Sequence, residues 1–151
     1  MNQHIVLRVI SKLMIPPILL FGFYVQVHGE VSPGGGFQAG VLVAVALVLY
    51  TLIFGLEAAH RVVSVRAAEI MAASGVLLYG LVGVWGLFTG GNYLEYKVLA
   101  DSAQAGEQLG ITLVELGVGI TVAGVVLTLF YAFAGYRKNR DAKSVAPTGE
   151  V

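Results

Sequence analysis

Four long apolar segments constrain the fold of this chain more than any other feature. They cover residues 9–27, 36–56, 67–88 and 113–134, and apart from Lys12 near the start of the first they contain no lysine or arginine. About 20 residues of helix cross a hydrocarbon core of about 30 Å. Because backbone groups in lipid must form hydrogen bonds within the protein, the segments are expected to be helices. The sequence therefore predicts an all-α integral membrane bundle of four transmembrane helices.

The composition and the distribution of charge agree with this class. Charged residues make up only 12% of the chain, against about a quarter in soluble domains. Eight of the nine basic residues flank the same ends of the segments, and the opposite side has Lys97 alone; the eight are Arg8, Lys12, Arg61, Arg66, Arg137, Lys138, Arg140 and Lys143. Cytoplasmic loops carry such an excess. Both termini are therefore predicted to be cytoplasmic, with residues 1–136 as the membrane domain and 137–151 as a polar tail.

The connection between the first two segments, residues 28–40, holds five of the twenty glycines. Ser32 followed by Pro33 is typical of an N-cap and a first helical position. We expect Gly34, Gly35 and Gly36 to form an exposed first turn without side chains, and Phe37 to be the first large side chain that projects from it. Gly36 and Gly40 also have the Gly-x-x-x-Gly spacing that lets membrane helices approach closely.

Further small residues occur in the last two segments. These residues are Gly75, Gly80, Gly83 and Gly86 in the third segment, and Gly117, Gly119, Ala123 and Gly124 in the fourth. Small residues at helix interfaces let backbones approach. We expect them to pack within one four-helix bundle, while packing on other subunits stays open.

Three acids lie in or beside the apolar segments and are candidates for proton or cation handling, since an intramembrane acid is a functional hypothesis by default. Glu57 has a structural alternative in Arg61 at i+4. Glu69 has one in the dipole at the start of the third helix. Glu115 ends a Thr112-x-x-Glu pattern that matches a capping box. One chain with so few intramembrane acids is not expected to be a complete pump or antiporter.

Patterns that would indicate an enzyme or a cofactor are missing from the sequence. The chain has no cysteine, and its three histidines, His4, His28 and His60, are predicted to lie outside the apolar cores. No phosphate-binding loop, nucleophile elbow or zinc motif is found. We therefore expect no enzyme activity, no metal and no cofactor, and the zero net charge gives no indication of a nucleic-acid partner.

The glycine-rich connection resembles the MnhB/MrpB family, whose members are small subunits of the Mrp-type multisubunit Na⁺/H⁺ antiporters of prokaryotes. The residues that carry the resemblance are His28-Gly29, then Ser32-Pro33-Gly34-Gly35-Gly36-Phe37-Gln38-Ala39-Gly40, together with Ile10-Ser11-Lys12-Leu13-Met14-Ile15-Pro16-Pro17. The family motif maps onto Pro33, Gly34, Gly35, Gly36, Phe37 and Gly40. Glu30-Val31 departs from the small or polar residues expected there.

The resemblance implies membership of a large complex in the plasma membrane that exchanges Na⁺ against H⁺ and is related to the membrane arm of respiratory complex I. It implies large subunits A and D, which resemble proton pumps, and small subunits C, E, F and G as partners besides the membrane lipids. The MnhB-type chain would then support assembly or part of the ion pathway and be inactive alone. In this hypothesis the segment from Pro33 to Gly40 docks on a neighbouring subunit, and Phe37 inserts into it.

A self-contained homo-oligomeric channel is the main alternative from another class. Rings of backbone carbonyls can form a selectivity filter, and the glycine-rich connection would be its mouth. Such a channel would assemble from this chain alone. A membrane enzyme or electron carrier is a weaker alternative, because it would need paired intramembrane histidines or a cofactor loop.

Overall fold

The computed structural model describes residues 2–29, 34–100 and 102–145, and all its regular elements are helical. They are α1 (Asn2–Val27), α2 (Gly36–Phe54), α3 (Leu56–Val62), α4 (Val65–Phe88), a 3₁₀ helix (Tyr96–Leu99) and α5 (Ala103–Val145). Four stretches are long and apolar enough to cross a membrane: Ile5–Val27, Gly36–Phe54, Val65–Phe88 and Ala103–Tyr136. The prediction of an all-α protein with four such helices is confirmed.

The ends of the helices differ from the sequence prediction, most of all for the second and the last helix. The second helix stops at Phe54 because Gly55 adopts a φ of 90°, and the chain continues as the short helix α3. The last helix begins at Ala103, ten residues earlier than predicted. The hydroxyl of the preceding Ser102 accepts a hydrogen bond from the Ala105 N–H at 3.3 Å and caps this helix end. The helix also continues to Val145, into the segment predicted as a tail.

Helix α5 lies at the centre of the arrangement. It packs along α4 on one side and along α2 on the other, while α1 packs mainly on α2. The α4–α5 contact depends on small residues: a Cβ at Gly75 would overlap the Gly117 carbonyl and Thr121, and one at Gly124 would lie 2.6 Å from the Ala68 carbonyl oxygen. The expected packing within one bundle is therefore confirmed for Gly75, Gly117, Gly119 and Gly124. Gly83 and Gly86 pack on the α4–α5 connection instead, and the expectation is wrong for Gly80, where no described atom outside the helix's own backbone lies within 4 Å of a Cβ.

The end of the bundle that carries α3 has a small core of its own. Ala59, Ala68, Leu127 and Tyr131 are buried there. The Tyr131 hydroxyl donates to the Val63 carbonyl oxygen at 3.1 Å, which ties α5 to the end of α3. His60 packs edge-on against Tyr131, with ring centroids 4.8 Å apart and its Nε2 buried. His60 lies in α3, outside the four candidate spans as predicted, and its contact with Tyr131 shows that α3 folds back onto α5.

The connection between α4 and α5 folds over the opposite end. Tyr96 packs on Gly110, where a side chain would overlap its ring, and burial raises the pKa of Tyr96. Glu95 accepts hydrogen bonds from the Asn92 backbone N–H at 2.8 Å and from the Asn92 side chain at 3.0 Å. These bonds, the backbone one above all, lower the pKa of the Glu95 carboxyl from its ordinary value of 4.5.

Candidate functional site

The site is built where α2 begins. The N-cap of α2 is Gly35, with a φ of 135°, and Gly36 is the first helical residue. A φ near this value favours glycine because it has no Cβ. The predicted cap at Ser32 with Pro33 as first helical residue is wrong about where the helix starts; both residues, with Glu30 and Val31, lie outside the described part of the chain.

The first turn of α2 is buried against α5. Gly35, Gly36 and Gly40 are buried and Gly34 is half-buried, so the predicted exposed first turn is also wrong. A Cβ on Gly36 would overlap the backbone carbonyl of Glu115, and one on Gly40 would lie 2.5 Å from the carbonyl oxygen of Gly119. The Gly-x-x-x-Gly spacing therefore does act in helix packing, and its partner is α5 of the same chain.

The half-buried carboxyl group of Glu115 lies among the glycines that flank this turn. A Cβ on Gly29 would lie 2.5 Å from Glu115 Oε2, and one on Gly35 would lie 3.2 Å from Oε1. The carboxylate is thus beside the N-terminus of α2, where backbone N–H groups and the helix dipole favour negative charge. Gly29, Gly35 and Gly36 all lie so close to Glu115 of α5 that a side chain at any of them would contact it.

Glu115 is not the end of a capping box. It lies in the thirteenth position of α5, and the Thr112 hydroxyl donates to the Gln108 carbonyl oxygen at 2.8 Å, inside the helix. Sixteen residues of continuous helix separate Glu115 from Tyr131 at the other end of the bundle, a rise of about 24 Å. A hydrocarbon core is about 30 Å thick, which is more than the distance between these two residues. If one boundary of the hydrocarbon core lies at Tyr131, Glu115 is therefore inside the core.

Gln26 is a further polar residue at the site, and the sequence prediction missed it. Its Oε1 would lie 2.6 Å from a Cβ on Gly119, one turn from Glu115. Its Nε2 is buried and has no hydrogen-bond partner among the described residues. Gln26 also lines an apolar groove of about 230 Å³ with Phe23, Gly40 and Leu116. An amide inside an otherwise apolar span was the available signal, since such groups bond across membrane helices.

Phe37 points away from this packed contact. Its side chain is 64% exposed in the isolated chain, although its neighbours Gly36 and Gly40 are buried. The first turn of α2 thus has one face fixed on α5 and one face that presents a large aromatic ring outward.

The other two predicted acids are far from this site. Glu57 is in α3 and Glu69 is near the start of α4, so both lie at the end of the bundle opposite to the start of α2. Both side chains are exposed. The fold therefore brings Glu115 together with the glycine-rich connection and leaves Glu57 and Glu69 apart from it.

These features define a class: a multi-pass membrane protein whose helices meet at glycine contacts, with a half-buried acid at one of them. Residues 6–128 match the family described as "Domain related to MnhB subunit of Na+/H+ antiporter". The chain belongs to the MnhB family. This is a family of transporter subunits rather than of catalytic enzymes.

Individual relatives agree over nearly the full length. "Putative antiporter subunit mnhB2" of Staphylococcus haemolyticus (strain JCSC1435) is 31% identical over 137 residues, which cover 89% of this chain and 96% of that protein. The protein of the same name from Staphylococcus aureus (strain MRSA252) is 32% identical over 139 residues, covering 90% and 98%. The resemblance predicted from the glycine-rich connection is confirmed.

Proposed function

We propose that this chain is a non-autonomous integral membrane subunit of a multisubunit Na⁺/H⁺ antiporter, which supports assembly of the complex and contributes to its ion pathway. The observation that carries the proposal is the family match over residues 6–128, which includes all of α2 and α4 and most of α1 and α5. Family membership favours this function over a self-contained channel. The few acids in the spans also favour a chain that needs partners.

The proposal places the protein in the plasma membrane of a prokaryote with both termini in the cytoplasm. The support is the uneven distribution of charge: eight basic residues flank the ends of the spans that include α3 and the chain termini, and Lys97 alone lies at the other end. By the positive-inside tendency, the start of α2 and the α4–α5 connection then face outward.

Phe37 is the proposed contact with a neighbouring subunit. Gly35, Gly36 and Gly40 of the motif pack on α5, and Gly34 packs on Val25 of α1. Their role is therefore to fix the start of α2 rather than to meet the neighbour directly. Phe37 is held on that fixed turn with its ring exposed. A large aromatic side chain on a rigid backbone is typical of residues that contribute most to an interface.

Glu115 is the proposed ion- or proton-handling acid of this subunit, and Glu57 and Glu69 are weaker candidates. Its carboxyl lies within the span and beside the N-terminus of α2, one turn along α5 from Gly119, which faces Gln26. Backbone N–H groups at a helix N-terminus can bond a carboxylate, and we propose that the Glu115 carboxylate transiently binds a cation or proton that a neighbouring subunit delivers. An exposed acid at the cytoplasmic end, such as Glu69, lacks this setting.

The first experiment recovers the tagged chain from its own membrane in mild detergent and identifies what accompanies it by mass spectrometry. We expect two large polytopic subunits of the A and D type and small subunits of the C, E, F and G type. Recovery of this chain only with itself would contradict the proposal and favour the homo-oligomeric channel.

A second experiment tests Phe37 in the assembled complex. We expect Phe37→Ala to lower recovery of the complex about tenfold or more, the effect of losing a central aromatic contact. Phe88→Ala is the matched control, since Phe88 is another exposed phenylalanine, at the end of α4 on the same side of the bundle. Equal recovery of wild type and Phe37→Ala would remove Phe37 from the interface.

The third experiment measures Na⁺/H⁺ exchange in liposomes. The purified chain alone is expected to be inactive. In the complex, Glu115→Gln is expected to lower the exchange rate at least tenfold with normal recovery of all subunits, and Glu69→Gln to leave the rate within twofold. Full activity of an assembled Glu115→Gln complex would show that the acid is structural.

A further inference from the structure

Two cations of α1 lie over a single aromatic ring of α2, at the end of the bundle where the described chain begins. The Arg8 guanidinium carbon is 6.0 Å from the centroid of the Phe54 ring, and Lys12 Nζ is 5.5 Å from it. Both side chains are exposed. Arg8 and Lys12 are four residues apart on α1, so their charges are on one face of the helix and repel each other.

A groove opens directly beside these cations, between α1 and α2. It has a volume of about 280 Å³ and is lined by Lys12, Ile15, Pro16, Tyr50 and Phe54. Four of these five residues present apolar or aromatic surface, and the rings of Tyr50 and Phe54 are 4.7 Å apart. The charged part of the groove is therefore at one end, and its lining becomes apolar toward the middle of the span.

We propose that this groove binds one anionic phospholipid. Its phosphate lies between Arg8 and Lys12, and one acyl chain follows Ile15 and Pro16 along the α1–α2 contact. Charge complementarity carries the assignment: a phosphate relieves the repulsion of two neighbouring cations, and basic pockets between transmembrane helices bind such headgroups. Pro16 lies one turn further along α1 than Lys12, about 6 Å deeper in the span. When the lipid phosphate is at Lys12, the acyl chain begins at about the depth of Pro16. The site is independent of the antiporter function proposed above.

The test uses the full-length chain, purified in detergent and titrated with dioleoylphosphatidylglycerol or dioleoylphosphatidylcholine, with bound lipid counted by native mass spectrometry. We expect the wild type to bind the anionic lipid at least tenfold more tightly. The double variant R8Q/K12Q is expected to lose about 30-fold in affinity, which is about 2 kcal/mol. The double variant R8K/K12R keeps both charges and is expected to bind within threefold of the wild type.

The matched control is R61Q/R66Q. It also removes two exposed basic residues at the same end of the bundle, from α3 and α4 rather than from the groove. Its affinity is expected to stay within threefold of the wild type. Circular dichroism of each variant establishes that the helices are intact.

Three outcomes would overturn the proposal. If R61Q/R66Q loses as much affinity as R8Q/K12Q, the binding reflects the net charge of that end and not this groove. If both lipids bind equally, the cations do not select a headgroup. If inorganic phosphate at 10-fold excess displaces the lipid, the ligand is a free anion and the apolar part of the groove contributes nothing.

Discussion

The contact between Gly36 and Glu115 can be tested by adding one methyl group. In Gly36→Ala the new Cβ overlaps the Glu115 backbone carbonyl. The new Cβ is attached to the backbone of α2 and the atoms it overlaps are backbone atoms of α5. No side-chain rotation can therefore relieve the overlap, and the two helices must separate. Overpacking typically costs 1–3 kcal/mol, and we expect about 3 kcal/mol here. Alanine returns at most about 1 kcal/mol through its higher helix propensity. The net loss is about 2 kcal/mol, a factor of about 30 in the unfolding equilibrium.

The matched control is Gly80→Ala in α4. Among the described residues, no atom outside the helix's own backbone lies within 4 Å of a Cβ at Gly80. This variant is therefore expected to be as stable as the wild type or more stable by up to about 1 kcal/mol. The assay is unfolding of the purified chain in mixed micelles with increasing SDS, followed by helical circular dichroism and by fluorescence of Trp85. Unfolding of Gly36→Ala at the wild-type SDS fraction, or equal destabilisation by Gly80→Ala, would refute the close approach of α2 and α5.

Two further predictions concern the two ends of the bundle. Tyr131→Phe removes the hydroxyl that donates to the Val63 carbonyl and is expected to destabilise the chain by about 1 kcal/mol in the same SDS titration; an unchanged midpoint would mean that the bond contributes nothing. Because the folded pKa of Glu95 lies below its ordinary 4.5, its contact with Asn92 stabilises the α4–α5 connection above that pH and weakens as pH falls through the lower folded value. The protection of the Asn92 amide, its intrinsic exchange rate divided by the observed rate, should therefore fall in that range for the wild type but show no such added step for Glu95→Gln.

The helices themselves could be predicted because the signals for them are local. Length and apolarity of a segment decide whether it can span a membrane, and all four predicted segments match observed spans. The errors fall at helix ends. Gly55 ended α2 early, and α5 begins before the predicted capping box of Thr112 and Glu115, with Gly106 and Gly110 packed under the α4–α5 connection. Gly106 and Gly110 lie outside the predicted apolar segments, and only their neighbours show that they belong to a helix.

The site shows the same division. The sequence singled out both the glycine-rich connection and Glu115, but as separate features with separate explanations. Between Gly36 and Glu115 lie nearly eighty residues, and no spacing rule links positions so far apart. Gln26 was a visible signal as the amide of an apolar run, but the sequence does not show that it faces Gly119.

The sequence by itself determined the class, the number of spans and the family, because these depend on composition, segment length and a contiguous motif. Only the tertiary structure decided what each glycine is for. A glycine permits a close approach but does not specify the partner, and the partner is set by how α2 packs on α5. That packing puts the Glu115 carboxyl at the start of α2 and leaves Phe37 facing outward.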